Sequence, residues 1–270
     1  MTSVNEVGAA GTGYASVNGL RLYYEVHGPG RQGEAPLVLL HGGLGGISMF
    51  GANLPALSAR RRVIAVELQG HGRTADIDRP LSYGALADDV AALVEHLGLE
   101  QVDLLGYSFG GAVALQTAIR HPELVRRLVI VSAVCRREGW YPEVAAWLQQ
   151  MGPEMAESMK GSPLVKLYPD LDLARLFTKL GDLHRKDYDW SQQVAALRTR
   201  TMLVFADADA ATLEHVVEFY RLLGGGKRDG GLDGSGRSAS RLAVLPGLTH
   251  YDIVAAPAVA AAVAPFLSSE

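Results

Sequence analysis

Short runs of β-branched residues and leucine alternate with longer stretches of helical spacing along most of the chain. That rhythm argues for a mainly parallel sheet with helices on both faces. Two segments, Gly13 to Val17 and Leu20 to Glu25, flank Asn18-Gly19. Both residues of that dipeptide tolerate positive φ, so it favours a tight hairpin and an antiparallel opening pair. Further strands are predicted at Leu37 to Leu40, Val63 to Glu67, Val102 to Leu105, Leu128 to Val131, Thr201 to Phe205 and Arg241 to Leu245. Helices are predicted from Ser82 to about Leu97, with Gly98 as a stop, from Gly111 to His121 and from about Thr212 to Leu223. The Ala- and Val-rich tail from Ile253 to Leu267 reads as the last packed helix.

The strand rhythm is lost from Val134 to about Leu197, a stretch rich in Trp, Tyr, Met and Leu. Pro142, Pro153, Pro163 and Pro169 should cut it into short helices. A connection of about 60 residues is far longer than an ordinary loop. Following a strand's C-terminal end, it falls where open α/β sheets bind ligands. It is therefore read as a cap over a pocket, against the plainer alternative of a lobe that only adds core. The expected organisation is a core domain at 1–133, a helical cap at 134–197 and the rest of the core at 198–270. Residues 224–240, where Gly clusters alternate with charges, have linker composition. They stand in the order helix, loop, strand, the wrong order for a phosphate cradle.

Composition narrows the classes. Of 270 residues, 48% are hydrophobic and 20% charged, and the formal net charge is −4. No basic field points to nucleic acid. The single cysteine, Cys135, excludes an intrachain disulfide and reads as a small packing residue. Met1 to Gly19 is polar and Gly-rich, unlike a signal peptide. No stretch reaches the roughly 18 uncharged apolar residues of a spanning helix. A cytoplasmic protein without membrane association is expected.

The sharpest chemical feature is Gly106-Tyr107-Ser108-Phe109-Gly110-Gly111, set between a predicted strand and a predicted helix. A serine on a strained strand-to-helix turn has its hydroxyl lifted into the open, and nearby glycines let the backbones approach. That hydroxyl needs a base. His250 follows the strand Arg241 to Leu245 through Pro246-Gly247-Leu248-Thr249. A carboxylate should orient the imidazole, and Asp207 and Asp209 both follow the strand Thr201 to Phe205. His27, His96, His121, His184 and His215 lack such neighbours and read as surface or packed residues. An oxyanion would be held by the Phe109 amide and by one from the Gly-rich loop His41-Gly42-Gly43-Leu44-Gly45-Gly46.

These segments, with Gly70-His71-Gly72-Arg73-Thr74, resemble the α/β-hydrolase fold superfamily from about Tyr14 to Leu267. The resemblance implies a mostly parallel eight-stranded sheet with helices on both faces and an inserted helical cap. It implies Ser108, Asp209 and His250 as the catalytic set, selecting Asp209 because Ala206-Asp207-Ala208-Asp209 fills the usual Gly-x-x-Asp turn. It also implies Gly43 and Phe109 as oxyanion donors, with His41 and His71 as structural loop residues. Glu67, Thr74 and Ala206 depart from the commoner Asp, Ser and Gly.

A serine nucleophile disfavours the dehalogenase and epoxide hydrolase members, which use Asp there. The expected reaction is hydrolysis of a small hydrophobic carboxylic ester or lactone through an acyl-enzyme, without metal or cofactor. Leu44, Tyr107, Trp140, Trp147 and Met151 are the candidate pocket residues. The alternatives are a carbon–carbon bond hydrolase of ring-cleavage products, a perhydrolase-like relative, and a ligand-binding receptor on the same fold. Oligomeric state is not legible.

Overall fold

The computed structural model describes residues 11–30 and 34–268. The first ten residues of the polar N-terminal segment lie outside this range. Among the described residues, eight strands form one sheet in the order β1-β2-β4-β3-β5-β6-β7-β8. They are β1 (Gly11–Val17), β2 (Leu20–His27), β3 (Leu37–Leu40), β4 (Val63–Glu67), β5 (Val102–Tyr107), β6 (Val125–Val131), β7 (Arg200–Ala208) and β8 (Arg241–Thr249). β1 and β2 pair antiparallel, and so do β2 and β4. All other pairings are parallel. The opening hairpin turns at Asn18 and Gly19, with φ of 47° and 82°, the double positive φ that a two-residue turn requires.

Among the described residues, ten α-helices connect and cover the strands. Outside the insertion these are α1 (Asn53–Ser58), α2 (Tyr83–His96), α3 (Phe109–Arg120), α9 (Leu213–Leu222) and α10 (Pro257–Ser268). Alternate strand residues enter separate cores. Val38 and Leu40, Ile64 and Val66, and Leu104 pack with α2, α3 and α9. Leu37 and Leu39, Val63 and Ala65, and Leu105 pack with α1 and α10 on the other face. Both faces are covered, which is why these strands are continuously apolar. Caps fix the predicted helix starts: the Ser82 hydroxyl accepts from the Ala85 amide, and that of Thr212 from the His215 amide.

Between β6 and β7 lie α4 (Pro142–Gln149), α5 (Pro153–Ser158), α6 (Pro163–Leu167), α7 (Leu173–His184) and α8 (Ser191–Ala196). Three of the prolines begin a helix each, where a missing N–H costs nothing. α7 buries Leu173, Leu176, Phe177, Leu180 and Leu183, whereas α4 has no buried residue. Polar ties hold the insertion to β4 and to the loop that follows it. Tyr168 donates to buried Glu67 at 2.9 Å, and the Lys179 ammonium donates to the carbonyls of Ile77 and Arg79, both at 2.7 Å. The Gly-rich segment 224–240 joins α9 to the N-terminal end of β8.

Two differences from the sequence reading bear on the site. α3 begins at Phe109, directly after the serine. β8 runs through Pro246 to Thr249, because an edge strand tolerates proline and a register shift near Ala206 lets Ala208 pair with Thr249. His250 thus leaves the sheet at a strand end and not from a long loop.

Asn53 secures the chain after His250. Its amide donates to the Val254 and Ala256 carbonyls at 2.7 and 3.0 Å and accepts from the Ala260 amide at 3.0 Å. Asn53→Ala leaves these three groups without that partner. A loss of about 3 kcal/mol is expected from the unpaired groups, read as a melting temperature lower by several degrees.

Candidate active site

Four neighbouring parallel strands each deliver one polar residue just past their C-terminal end: Ser108 after β5, Ser132 after β6, Asp209 after β7 and His250 after β8. Ser108 has φ 52°, a strained angle for a residue with a β-carbon. Close packing of α3 holds it there. A β-carbon on Gly106 would lie 2.1 Å from the Gly110 carbonyl oxygen, and one on Gly110 would lie 2.3 Å from that of Leu40. Only glycine fits at these two positions.

The Ser108 hydroxyl lies 3.0 Å from Nε2 of His250, and Nδ1 of His250 lies 2.9 Å from Oδ1 of Asp209. With Nδ1 protonated and donating to the carboxylate, Nε2 is free to take the serine proton. Asp209 is anchored on both oxygens. Oδ2 accepts from the Ser132 hydroxyl at 2.5 Å and the Ala206 amide at 3.0 Å, and Oδ1 accepts from the Ala210 amide at 2.8 Å. Burial acts to raise the Asp209 pKa. The hydrogen bond and charge of His250, with the Ser132 and Ala206 donors, outweigh it and hold the carboxyl below its ordinary value.

Asp207, the other acid in the turn, is exposed and instead accepts from the Leu248 amide at 3.3 Å, bracing the segment before His250. Ala206 has an ordinary negative φ, so this turn has no need of glycine there. Thr74 likewise supplies the hydroxyl expected of serine: it donates to the Glu67 carbonyl at 2.6 Å and accepts from the Tyr23 amide at 2.8 Å.

Gly43 and Phe109 border the same cavity as Ser108. Phe109 is the first residue of α3, so its N–H has no carbonyl one turn back. His41 and His71 support this loop from behind. His41 Nε2 accepts from the Leu68 amide at 3.0 Å while Nδ1 donates to the Gly42 carbonyl at 2.7 Å, and the His71 ring stacks on Phe109. Burial lowers His41 to about 3 and His71 to about 4, so both are neutral.

The cavity over Ser108 measures about 240 Å³ and lies between the sheet edge and the insertion. Leu44, Tyr107, Trp140, Trp147 and Met151 all border it. So do Tyr83, His184, Tyr188 and Tyr251, which sequence reading did not single out for this role. Two supporting residues were also missed. Ser132 steadies Asp209, and the Tyr107 hydroxyl donates to the His250 carbonyl at 2.6 Å. Neither carries a local motif: each matters only because its strand lies beside the right neighbour. Cys135 is buried, and burial raises its thiol to about 12, which suits a packing residue.

A family model described as alpha/beta hydrolase fold matches residues 35–163. Among curated proteins, the chain is 44% identical over 107 residues to 2-hydroxy-6-oxo-2,4-heptadienoate hydrolase of Pseudomonas putida, covering 37% of each. The chain spans less than half the length of that relative, and no more than 43% of three others. Among solved structures, the enol-lactonase of Burkholderia xenovorans superposes with TM-score 0.74 at 21% identity, over 95% of this chain and 100% of that one. Carboxylesterase CesB of Bacillus subtilis does so with TM-score 0.72 at 20% identity, over 96% and 92%. At such identities the likeness is one of fold.

Four histidines are held neutral chiefly by burial: His41 at about 3, and His71, His184 and His215 at about 4. The unfolded chain, with histidines near 6.5, binds protons first as pH falls. Stability is therefore full above pH about 6.5 and declines toward pH about 4, by up to about 1.4 kcal/mol per pH unit for each such histidine. Urea midpoints should be clearly lower at pH about 5 than at about 7, before most carboxylates titrate. Strand order, the turn at Ser108 and the family match over residues 35–163 agree, and the chain has the α/β-hydrolase fold.

Proposed function

We propose that this hydrolase cleaves a small, hydrophobic, uncharged carboxylic ester or lactone through an acyl-enzyme on Ser108. The observation that carries the reading is the hydrogen-bonded chain Ser108–His250–Asp209 opening onto a largely apolar cavity. His250 Nε2 takes the hydroxyl proton as Ser108 Oγ attacks the carbonyl carbon. The Phe109 and Gly43 amides stabilise the oxyanion, worth roughly 3 kcal/mol of barrier for each donor. The imidazolium, steadied by Asp209, returns the proton to the departing alkoxide. Water then attacks the acyl-enzyme with His250 as base, and the acid is released. The helical insertion acts as the cap, supplying Trp140, Trp147 and Met151 to the substrate's apolar part.

Charge bears on the substrate. Among the described residues that border the cavity there is no Lys, Arg, Asp or Glu. A substrate carboxylate would enter without a cation to pair with it. A second reading, carbon–carbon bond hydrolysis, draws support from the sequence likeness to the heptadienoate hydrolase. That name denotes a carboxylate, which this lining does not favour.

Activity is tested with p-nitrophenyl acyl esters and lactones of graded chain length, beside a vinylogous diketone carrying a carboxylate. The expected outcome is turnover of the neutral short esters or lactones and negligible turnover of the diketone. The reverse preference would replace the reading with the second one. A fluorophosphonate probe should label Ser108, found by peptide mass spectrometry, and the label should be lost in His250→Ala. Asp209→Asn should lower kcat by several orders of magnitude, as expected when the imidazole loses its orienting acid. Asp207→Asn should cost less than about tenfold.

A further inference from the structure

α7 packs an almost wholly apolar face into the protein, yet that face ends in a histidine. His184 stands one turn after Leu180, and both border the cavity over Ser108. No hydrogen-bond or ion-pair partner is present for its ring among the described residues, and burial alone lowers its imidazole to about 4. It is thus a neutral, half-buried ring with one donor and one acceptor nitrogen at the cavity wall. His184 also has polar company. Tyr188, four residues on and beyond the end of α7, borders the same cavity. Tyr83 borders the cavity as well, with its ring centroid 5.5 Å from that of Tyr188.

We infer that His184 is a specificity-determining residue: with Tyr188 of the insertion and Tyr83 at the start of α2 it forms an uncharged polar subsite where the insertion meets the core, which binds a ketone, ether or hydroxyl oxygen on the substrate's apolar portion. This rests on the reading of the cavity as the substrate site and narrows it. The preferred substrate is an ester or lactone with a second, neutral oxygen function, in place of a plain hydrocarbon chain. The three groups offer donors and carry no charge, so they reward an acceptor oxygen and do not compensate a carboxylate. His184 is too deeply desolvated to titrate near neutrality, so the preference does not change over the ordinary working range of pH.

The test compares the anilides of pentanoic and levulinic acid, which share a chain length and differ by one ketone oxygen. Binding to Ser108→Ala is measured by calorimetry, so the result does not depend on turnover. The levulinic anilide should bind about tenfold more tightly, the scale of one uncharged hydrogen bond. That advantage should vanish in Ser108→Ala/His184→Leu and return in part in Ser108→Ala/His184→Gln. The matching p-nitrophenyl esters should show the same ordering in kcat/KM for wild type, and His184→Leu should bring the levulinate-to-pentanoate ratio of kcat/KM close to one. Equal binding of the two anilides to Ser108→Ala overturns the subsite, as does an equal loss of both in the His184→Leu background. Preserved anilide discrimination with no ester turnover would instead remove the esterase reading and leave the subsite standing. Melting curves of each variant show whether it is folded.

Discussion

A backbone angle of 52° at Ser108 is costly for any residue with a β-carbon, and the packing around it makes it the arrangement the chain adopts. β5 must end where α3 begins, with no intervening loop, so that the first free amide of the helix lies beside the serine hydroxyl. That helix must in turn press its N-terminal turn against β3, which only Gly106 and Gly110 permit. Once the turn is set, the loop after β3 has one place to go, and Gly43 comes to rest within reach of Phe109. The strain is held by many buried contacts on both faces of the sheet, so no single one of them carries it.

The remaining polar groups follow from strand adjacency. β6, β7 and β8 are parallel and in order, so Ser132, Asp209 and His250 leave the same edge as Ser108. The carboxylate between them keeps its charge because four donors face it: two backbone amides, one hydroxyl and one imidazole. Without them, its burial would favour the protonated acid, which could not steady an imidazolium.

The sequence made some of this legible and not the rest, for a common reason. Ser108 and His250 could be found because each sits in a local frame, a strand with a turn after it, visible in a single stretch of chain. The two acids could not be separated by residue pattern alone, since Asp207 and Asp209 satisfy the same chain order. In space they differ completely, one bracing Leu248 from solvent and the other buried against the imidazole. Ser132 and the Tyr107 hydroxyl were invisible, because each acts on a residue from another strand, 77 and 143 positions away. His184 reads in the sequence as a surface or packed residue, and in the structure it is half-buried and borders the cavity. The reach of β8 to Thr249 was missed because Pro246 reads as a strand end, an inference that fails on a sheet edge.

The short helix α4 contributes Val144, Trp147 and Leu148 to the cavity wall, yet buries none of its residues. Core side chains answer to the whole fold, and enlarging or trimming them is penalised by destabilisation. Trp147 is the freest of the three, since it is exposed, whereas Leu148 also packs against the core. Substitutions in this one helical turn therefore alter the cavity wall at less cost to folding than substitutions in the core. A scaffold that separates the residues deciding what is accepted from those deciding whether the chain folds is well placed to acquire new substrates.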